Sequence, residues 1–271
     1  VAGTLTRIFS DIHYGDRLSH VAAFGRLTPL CAGAGSIVIN GDALDTRPGP
    51  DPEHTDRCRR ELAEFVGGIG SPVTFVTGNH DPDISGDHSL DLAGNRVFVV
   101  HGDILFDDIV PWGRDAPEIR RRLRVALAAL PEASRDRLED RLAAYRRVAA
   151  GIPQRHQSER RALRYLPQLA RDTLFPRSAL AILWAWRVLP GRAAALAARH
   201  RPDARVIVVG HTHRPGVWRS PGGLAVVNTG SFTRPFGAYA VDVADGAATV
   251  RRIVRRSGDY HPGPEVASIP L

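Results

Sequence analysis

Five short segments carry oxygen and nitrogen donors at spacings that could do chemistry: Asp11-Ile12-His13, Gly41-Asp42, Gly78-Asn79-His80-Asp81, His101-Gly102-Asp103 and Gly210-His211-Thr212-His213. Side chains two apart on an extended segment point the same way. Asp11 with His13, and His211 with His213, can therefore each present two ligands to one pocket. Carboxylate mixed with imidazole suits Mn, Fe or Zn, and the lack of thiolates argues against a closed structural zinc site. Adding Asp42, Asn79 and His101 brings the donors to seven. That is too many for one tetrahedral ion and suits two divalent ions sharing a bridging carboxylate. Any one segment alone reads as a turn, because Gly-Asp and Gly-Asn are common turn chemistry. Five such segments, each closing an apolar run, are hard to obtain that way.

The elements that must position these donors are legible as changes of period. From Leu5 to about Phe106, short β-branched runs such as Ser36-Ile37-Val38-Ile39 alternate with a helical stretch, Arg57 to Val66, in the manner of βαβ units. Each strand ends in Gly, Asp, Asn or His, and strand ends on one edge of a sheet converge where open α/β sheets place ligands. From about Arg114 to His200 the pattern is helical, rich in Arg, Ala and Leu, with Pro131, Pro153, Pro167, Pro176 and Pro190 as breaks. Strands return over Val206–Val209, Leu224–Val227, Ala238–Val243 and Ala248–Val254. The expected organisation is a core of 1–113 and 201–257, a helical insertion or lid at 114–200, and a loose C-terminal tail at 258–271.

Composition narrows the function classes. The 271 residues are 43% hydrophobic, enough for a large buried core, so disorder is excluded. The net charge is +7 and all 36 basic residues are Arg, whose planar fork fits phosphate oxygens. Genome composition also explains an absence of Lys, and no aromatic-rich signature beside the Arg clusters points to nucleic acid as a partner. Cys31 and Cys58 form no close pair, so reduced thiols and a cytoplasmic location are expected. No apolar stretch near the N-terminus reaches signal-peptide length. No segment is expected to approach the roughly 18 apolar residues of a spanning helix.

Taken together, the five motifs resemble those of the calcineurin-like metallophosphoesterase superfamily: Asp-x-His, Gly-Asp, Gly-Asn-His-Asp, a later His and Gly-His-x-His. The resemblance spans about Leu5 to Ala247 apart from the insertion. It implies an α/β, four-layer metallophosphoesterase fold: two packed mixed β-sheets flanked by helices, with the insertion as a lid. It implies that Asp11, His13 and His213 hold one metal, that Asn79, His101 and His211 hold the other, and that Asp42 bridges them. The two ions are expected as Mn, with Fe or Zn as alternatives. Such a pair, about 3.5–4 Å apart, clamps a phosphoryl group and supplies a bridging hydroxide for in-line attack at neutral pH. His80 follows a ligand directly and can face the leaving oxygen as an imidazolium, with Asp81 orienting its ring. A purely structural role in the turn is the competing reading.

Within the superfamily, the run from His101 to Asp108 followed by helices, and the ending His211-Thr212-His213-Arg214-Pro215, look like the bacterial UDP-2,3-diacylglucosamine hydrolase family. That family cleaves a pyrophosphate in lipid A synthesis under a helical lid. The resemblance places Asp108 in the substrate pocket and makes the partner a phosphorylated small molecule or a lipid-linked substrate. One departure stands out: that family commonly has Arg after the metal-binding Asn, where this chain has His80. A phosphomonoesterase or phosphodiesterase, or a scaffold without activity, are the alternatives. The stretch Ser178 to Trp186 is apolar around most of a helix between Arg177 and Arg187. It reads either as packed core or as a lipid-touching surface that would make the protein peripheral to the inner membrane. Arg120-Arg121-Arg122 and Glu159-Arg160-Arg161 read as solvated helix faces, with Glu118 and Arg122 as a weak ion pair.

Overall fold

A computed structural model describes residues 4–154 and 176–271. Strands β1 (Thr6–Phe9), β2 (Ser36–Asn40) and β3 (Val73–Val76) are parallel neighbours, with Ile8 opposite Val38 and Ile39 opposite Phe75. A second set comprises β4 (Ser89–Leu92), β5 (Val97–Val100), β6 (Val206–Val209), β7 (Gly216–Arg219) and β8 (Ala225–Asn228). It forms a mixed sheet in the order β4-β5-β6-β8-β7. The first sheet continues from β1 through β9 (Tyr239–Ala244), β10 (Ala247–Arg256) and β11 (Asp259–Pro270).

The strands read as unbroken apolar runs because both of their faces are covered. Ile8, Val38, Val97, Val99, Val206, Val208 and Val227 fill one core between the two sheets. Their neighbours point the other way, as the period of two requires. Phe9, Ile37 and Ile39 pack against Leu30 of a short helix α1 (Thr28–Cys31) and against Cys58, Leu62 and Phe65 of α2 (Pro52–Ile69). Helix α2 starts at Asp51, which accepts from the His54 N–H at 3.0 Å, carries Pro52 in its first turn, and stops at Gly70. On the far side, Phe98, Val100, Ile207 and Val209 pack against α3 (Ala116–Ala128), α4 (Leu138–Ala150) and α5 (Pro176–His200). The architecture is thus two mixed sheets between helical layers, and the described helices of the insertion share their core with the second sheet.

Two expectations change. Residues 258–271 are no loose tail: β11 pairs with β10 from Asp259↔Arg256 to Pro270↔Ala247 and buries Tyr260 and Ile269. Pro262, Gly263 and Pro264 disguise it, and they are tolerated because β11 is an edge strand whose pairing shifts register near Arg251. Helix α5 is, over Arg177–His200, long and apolar enough to cross a membrane by length and composition. It buries Ala185, Leu189, Ala193 and Ala197, one residue per turn, in the core it shares with the second sheet. Leu180, Leu183 and Trp184 remain exposed by 64%, 56% and 44%, so its first half presents an apolar outer surface. The run Glu159-Arg160-Arg161 lies outside the described residues, whereas Arg121 and Arg122 do pair with Glu118 on an exposed face.

Candidate metal centre

Every expected donor lies just beyond the C-terminal end of a strand, but the strands belong to both sheets. Asp11, Asp42 and Asn79 follow β1, β2 and β3, while His101, His211 and His213 follow β5 and β6. The site sits where these two sets of strand ends meet. The segments are not extended there. Asp11, His13, Asp42, His211 and His213 all have positive φ, between 48° and 68°. Asp and His visit that region more readily than most residues, yet each such position costs about 1 kcal/mol or more and needs support. Backbone bonds across the loops provide it: the Asp11 N–H donates to Gly41 O at 3.0 Å and the His13 N–H to Asp42 O at 2.9 Å. Donors two apart therefore converge through turns, rather than by the alternation of a strand.

The donors form two adjoining groups. His13 Nε2 and His213 Nε2 are 3.1 Å apart, and Asp11 Oδ1 lies 3.7 Å and 3.2 Å from them. On the other side, His101 Nε2 is 3.2 Å from Asn79 Oδ1, and His211 belongs to the same cluster. Asp42 Oδ2 stands between, 3.6 Å from His13 Nε2 and 3.3 Å from His101 Nε2. Three of the other ring nitrogens are anchored. His101 Nδ1–H donates to the Asn40 carbonyl at 2.9 Å and His211 Nε2–H to the Ile109 carbonyl at 2.7 Å. His213 Nδ1 lies 3.1 Å from Thr233 Oγ1. Because a carbonyl only accepts, these bonds place a hydrogen on His101 Nδ1 and His211 Nε2 and leave His101 Nε2 and His211 Nδ1 as the positions that take a cation or a proton. Ile109 itself has φ 58°, an outlying conformation for a β-branched residue, and its carbonyl is the group that holds His211.

Two glycines explain why the backbone can come this close. A Cβ at Gly78 would overlap Asp42 Oδ1, and one at Gly210 would overlap Asp11 Oδ2 and Ser10 Oγ. The carboxylates of Asp11 and Asp42 are fully buried, and among the described residues neither pairs with an arginine. Burial alone would lower the imidazole pKa of His101, but the Asp42 carboxylate overrides it and raises it to about 10. Asp11 and Asp42 likewise overcome burial at His13 and raise it to about 9. The pocket demands positive charge. Buried carboxylates, tautomer-fixed imidazoles and one amide oxygen fit divalent cations of the Mn, Fe or Zn type.

His80 and His213 are the open rim, with side chains 24% and 26% exposed, while the other donors are enclosed. Asp81 does not orient His80. Its Oδ1 accepts from the N–H groups of Asp42 and Gly78 at 2.9 and 2.8 Å, and Oδ2 from Ala43 at 2.7 Å, so both oxygens are occupied by backbone. The group beside the ring is Asp45, whose Oδ2 is 3.0 Å from His80 Nδ1, with Arg47 Nη2 2.8 Å from the same nitrogen. Burial and the Arg47 charge push the His80 pKa below its ordinary value, which favours a neutral ring over the expected imidazolium. Asp45 and Arg47 share the loop that follows Asp42, a spacing that was visible but reads as ordinary turn chemistry.

Asp108 is buried, and its Oδ2 accepts from Arg120 of α3 at 2.6 Å. An aromatic group connects the cluster to the insertion: His211 lies 5.8 Å from Phe106 and 5.5 Å from Trp112, and Phe106 6.1 Å from Trp184. Trp186 Nε1–H donates to the Thr212 carbonyl at 2.9 Å, between the two histidines of the last motif.

The chain is similar to several known proteins. The profile of the family described as calcineurin-like phosphoesterase matches residues 6–215. The UDP-2,3-diacylglucosamine hydrolase of Stenotrophomonas maltophilia (strain K279a) is 25% identical over 229 residues, which is 78% of this chain and 83% of the relative. A dimetal phosphatase from Danio rerio aligns with TM-score 0.50 at 12% identity, over 100% of this chain and 99% of its own. Vacuolar Protein Sorting 29 from Cryptosporidium parvum aligns with TM-score 0.44 at 13% identity over 100% of both chains. At 12% identity the phosphatase bears on the fold alone.

Proposed function

We propose, because this chain belongs to the calcineurin-like phosphoesterase family, that Asp11, His13 and His213 hold one divalent cation, Asn79, His101 and His211 a second, and Asp42 both. The chain is a metal-dependent phosphoester hydrolase. The observation that carries the two-cation reading is the position of Asp42 Oδ2, within 3.6 Å of a histidine from each group. Manganese is the first choice of ion.

Bound in these groups, the cations supply the positive charge that polarises a phosphoryl oxygen and acidifies a water. The rest falls to the chain. With Nδ1 of a neutral His80 accepting from Arg47, the proton resides on Nε2, which can donate to a phosphoryl or leaving oxygen at the open rim. Asp45 holds the guanidinium, through bonds of 2.9 and 2.7 Å, and so fixes the group that donates to the ring. The aromatic wall of Phe106 and Trp112 limits water on the His211 side.

For substrate, we take a pyrophosphate joining a nucleotide to an acylated sugar, of the UDP-2,3-diacylglucosamine type. Two features support it: the named relative, and an apolar surface of Leu180, Leu183 and Trp184, whose Trp184 ring lies against the buried Phe106 that in turn lies against His211. The same surface, flanked by Arg177 and Arg187, suits peripheral contact with an anionic membrane. Manganese-loaded protein given UDP-2,3-diacylglucosamine, a simple monoester and a simple diester tests the substrate. A kcat/KM for the lipid nucleotide at least about tenfold above the others is expected. A preference for the monoester or diester overturns it in favour of the second reading, which His80 in the place of an arginine favours. Flotation with anionic vesicles tests the membrane contact, and protein left wholly in the dense fraction removes it.

A further inference from the structure

Arg146 is a buried charge that the catalytic reading leaves unused. It lies on α4 of the insertion, 4% exposed, far in sequence from every donor. Its Nη1 donates to the Thr77 carbonyl at 3.2 Å, and its Nη2 to Asp103 Oδ2. Thr77 precedes Asn79 by two residues, and Asp103 follows His101 by two. One guanidinium thus spans the two strand-end loops whose side chains, Asn79 Oδ1 and His101 Nε2, meet at 3.2 Å. Among the described residues it makes no such contact with the loop of Asp11 and His13, nor with the loop that His211 and His213 share. Arginine is suited to this, since its planar fork can satisfy a carboxylate and a carbonyl at once where a lysine reaches one. Nothing else on Asp103 could replace it: Asp103 is wholly buried and its Oδ1 has no hydrogen-bond partner.

We propose that Arg146 is a positioning residue for the cation site of Asn79, His101 and His211, and that through it the seating of the insertion sets that site's affinity. The proposal rests on the two-cation reading. A merely structural buried pair would weaken the whole fold, and both sites with it. A positioning role instead predicts a selective effect. Linkage also makes it reciprocal: occupancy of this cation site favours the seated insertion by the same factor.

The test is a manganese titration of the full chain, following bound and free Mn²⁺ by electron paramagnetic resonance. Arg146→Met is expected to weaken one of two bound ions by at least about tenfold, ~1.4 kcal/mol, with the other unchanged. Arg146→Lys is expected to recover part of the loss, and Asp103→Asn to reproduce it. Placing Arg146→Met in a His13→Ala background, which retains the affected site, should keep the effect. In a His101→Ala background it should vanish. If Arg146→Met does not fold, the lysine and Asp103→Asn variants carry the same comparison. Equal weakening of both ions, or no weakening, overturns the proposal alone. Fewer than two ions on the wild-type chain overturns it together with the reading beneath it.

Discussion

The carboxylate of Asp81 accepts from the backbone N–H of Asp42 at 2.9 Å, so the residue after His80 braces the loop that carries the shared donor. With Gly78 on the same oxygen, and Ala43 and at 3.5 Å Leu44 on the other, four buried N–H groups depend on it. In Asp81→Asn, either orientation of the amide sets an NH2 against one of these donors. Each buried donor left unpaired costs about 1–3 kcal/mol. The expected outcome in urea unfolding is a lower midpoint, with manganese affinity reduced in the same variant. An unchanged midpoint with reduced turnover would instead give Asp81 a direct part in the chemistry.

Asp45 governs the ring of His80. Burial alone would raise its carboxyl pKa, but His80 and Arg47 hold it below the usual carboxylate range. A carboxyl depressed in the folded state stabilises above its unfolded pKa of about 4, and that stability is lost as pH falls through the folded value. Asp45→Asn is therefore expected to lower stability by about 1.5–3 kcal/mol at pH 7, with the gap to wild type closing progressively below about pH 4. Turnover of a substrate with a poor leaving group should fall with it. His80→Ala should cost about 10²–10⁴ on the same substrate, and the double variant little more than His80→Ala alone. Strictly additive losses would uncouple the two residues.

Gly210 has no room for a methyl group. A Cβ there would overlap Asp11 Oδ2 and Ser10 Oγ, so Gly210→Ala must push Asp11 away from His13 and His213 or strain the turn. Overpacking of this kind costs about 1–3 kcal/mol. Manganese titration of the alanine variant should show one ion weakened and the site of His101 retained. Normal binding of both ions, at an unchanged unfolding midpoint, would mean that the close approach does not matter.

The donors were legible in the sequence because each is a polar residue forced to the end of an apolar run, and a strand leaves few other places for it. The four layers were legible only through family resemblance, since a run buried on both faces carries no sign of which neighbour covers it. Asp45 was hidden because an Asp in a loop is common turn chemistry, and its partner His80 lies 35 residues away. Trp186 and Arg146 were hidden because their contacts with Thr212 and Thr77 are tertiary, and helical periodicity says only that a residue faces inward. Asp81 is hidden for a related reason: adjacency to His80 suggests the ring, whereas the turn aims its carboxylate at four backbone amides. β11 was lost to its prolines and glycine, which an edge strand accommodates.

The bridging place of Asp42 is tested most directly by the resonance spectrum of protein loaded with two equivalents of Mn²⁺. Two ions per chain with a spin-coupled signal are expected for wild type, and loss of that coupling for Asp42→Ala. A single ion per chain, or two ions whose signal is uncoupled in wild type, would contradict a shared carboxylate between two cations.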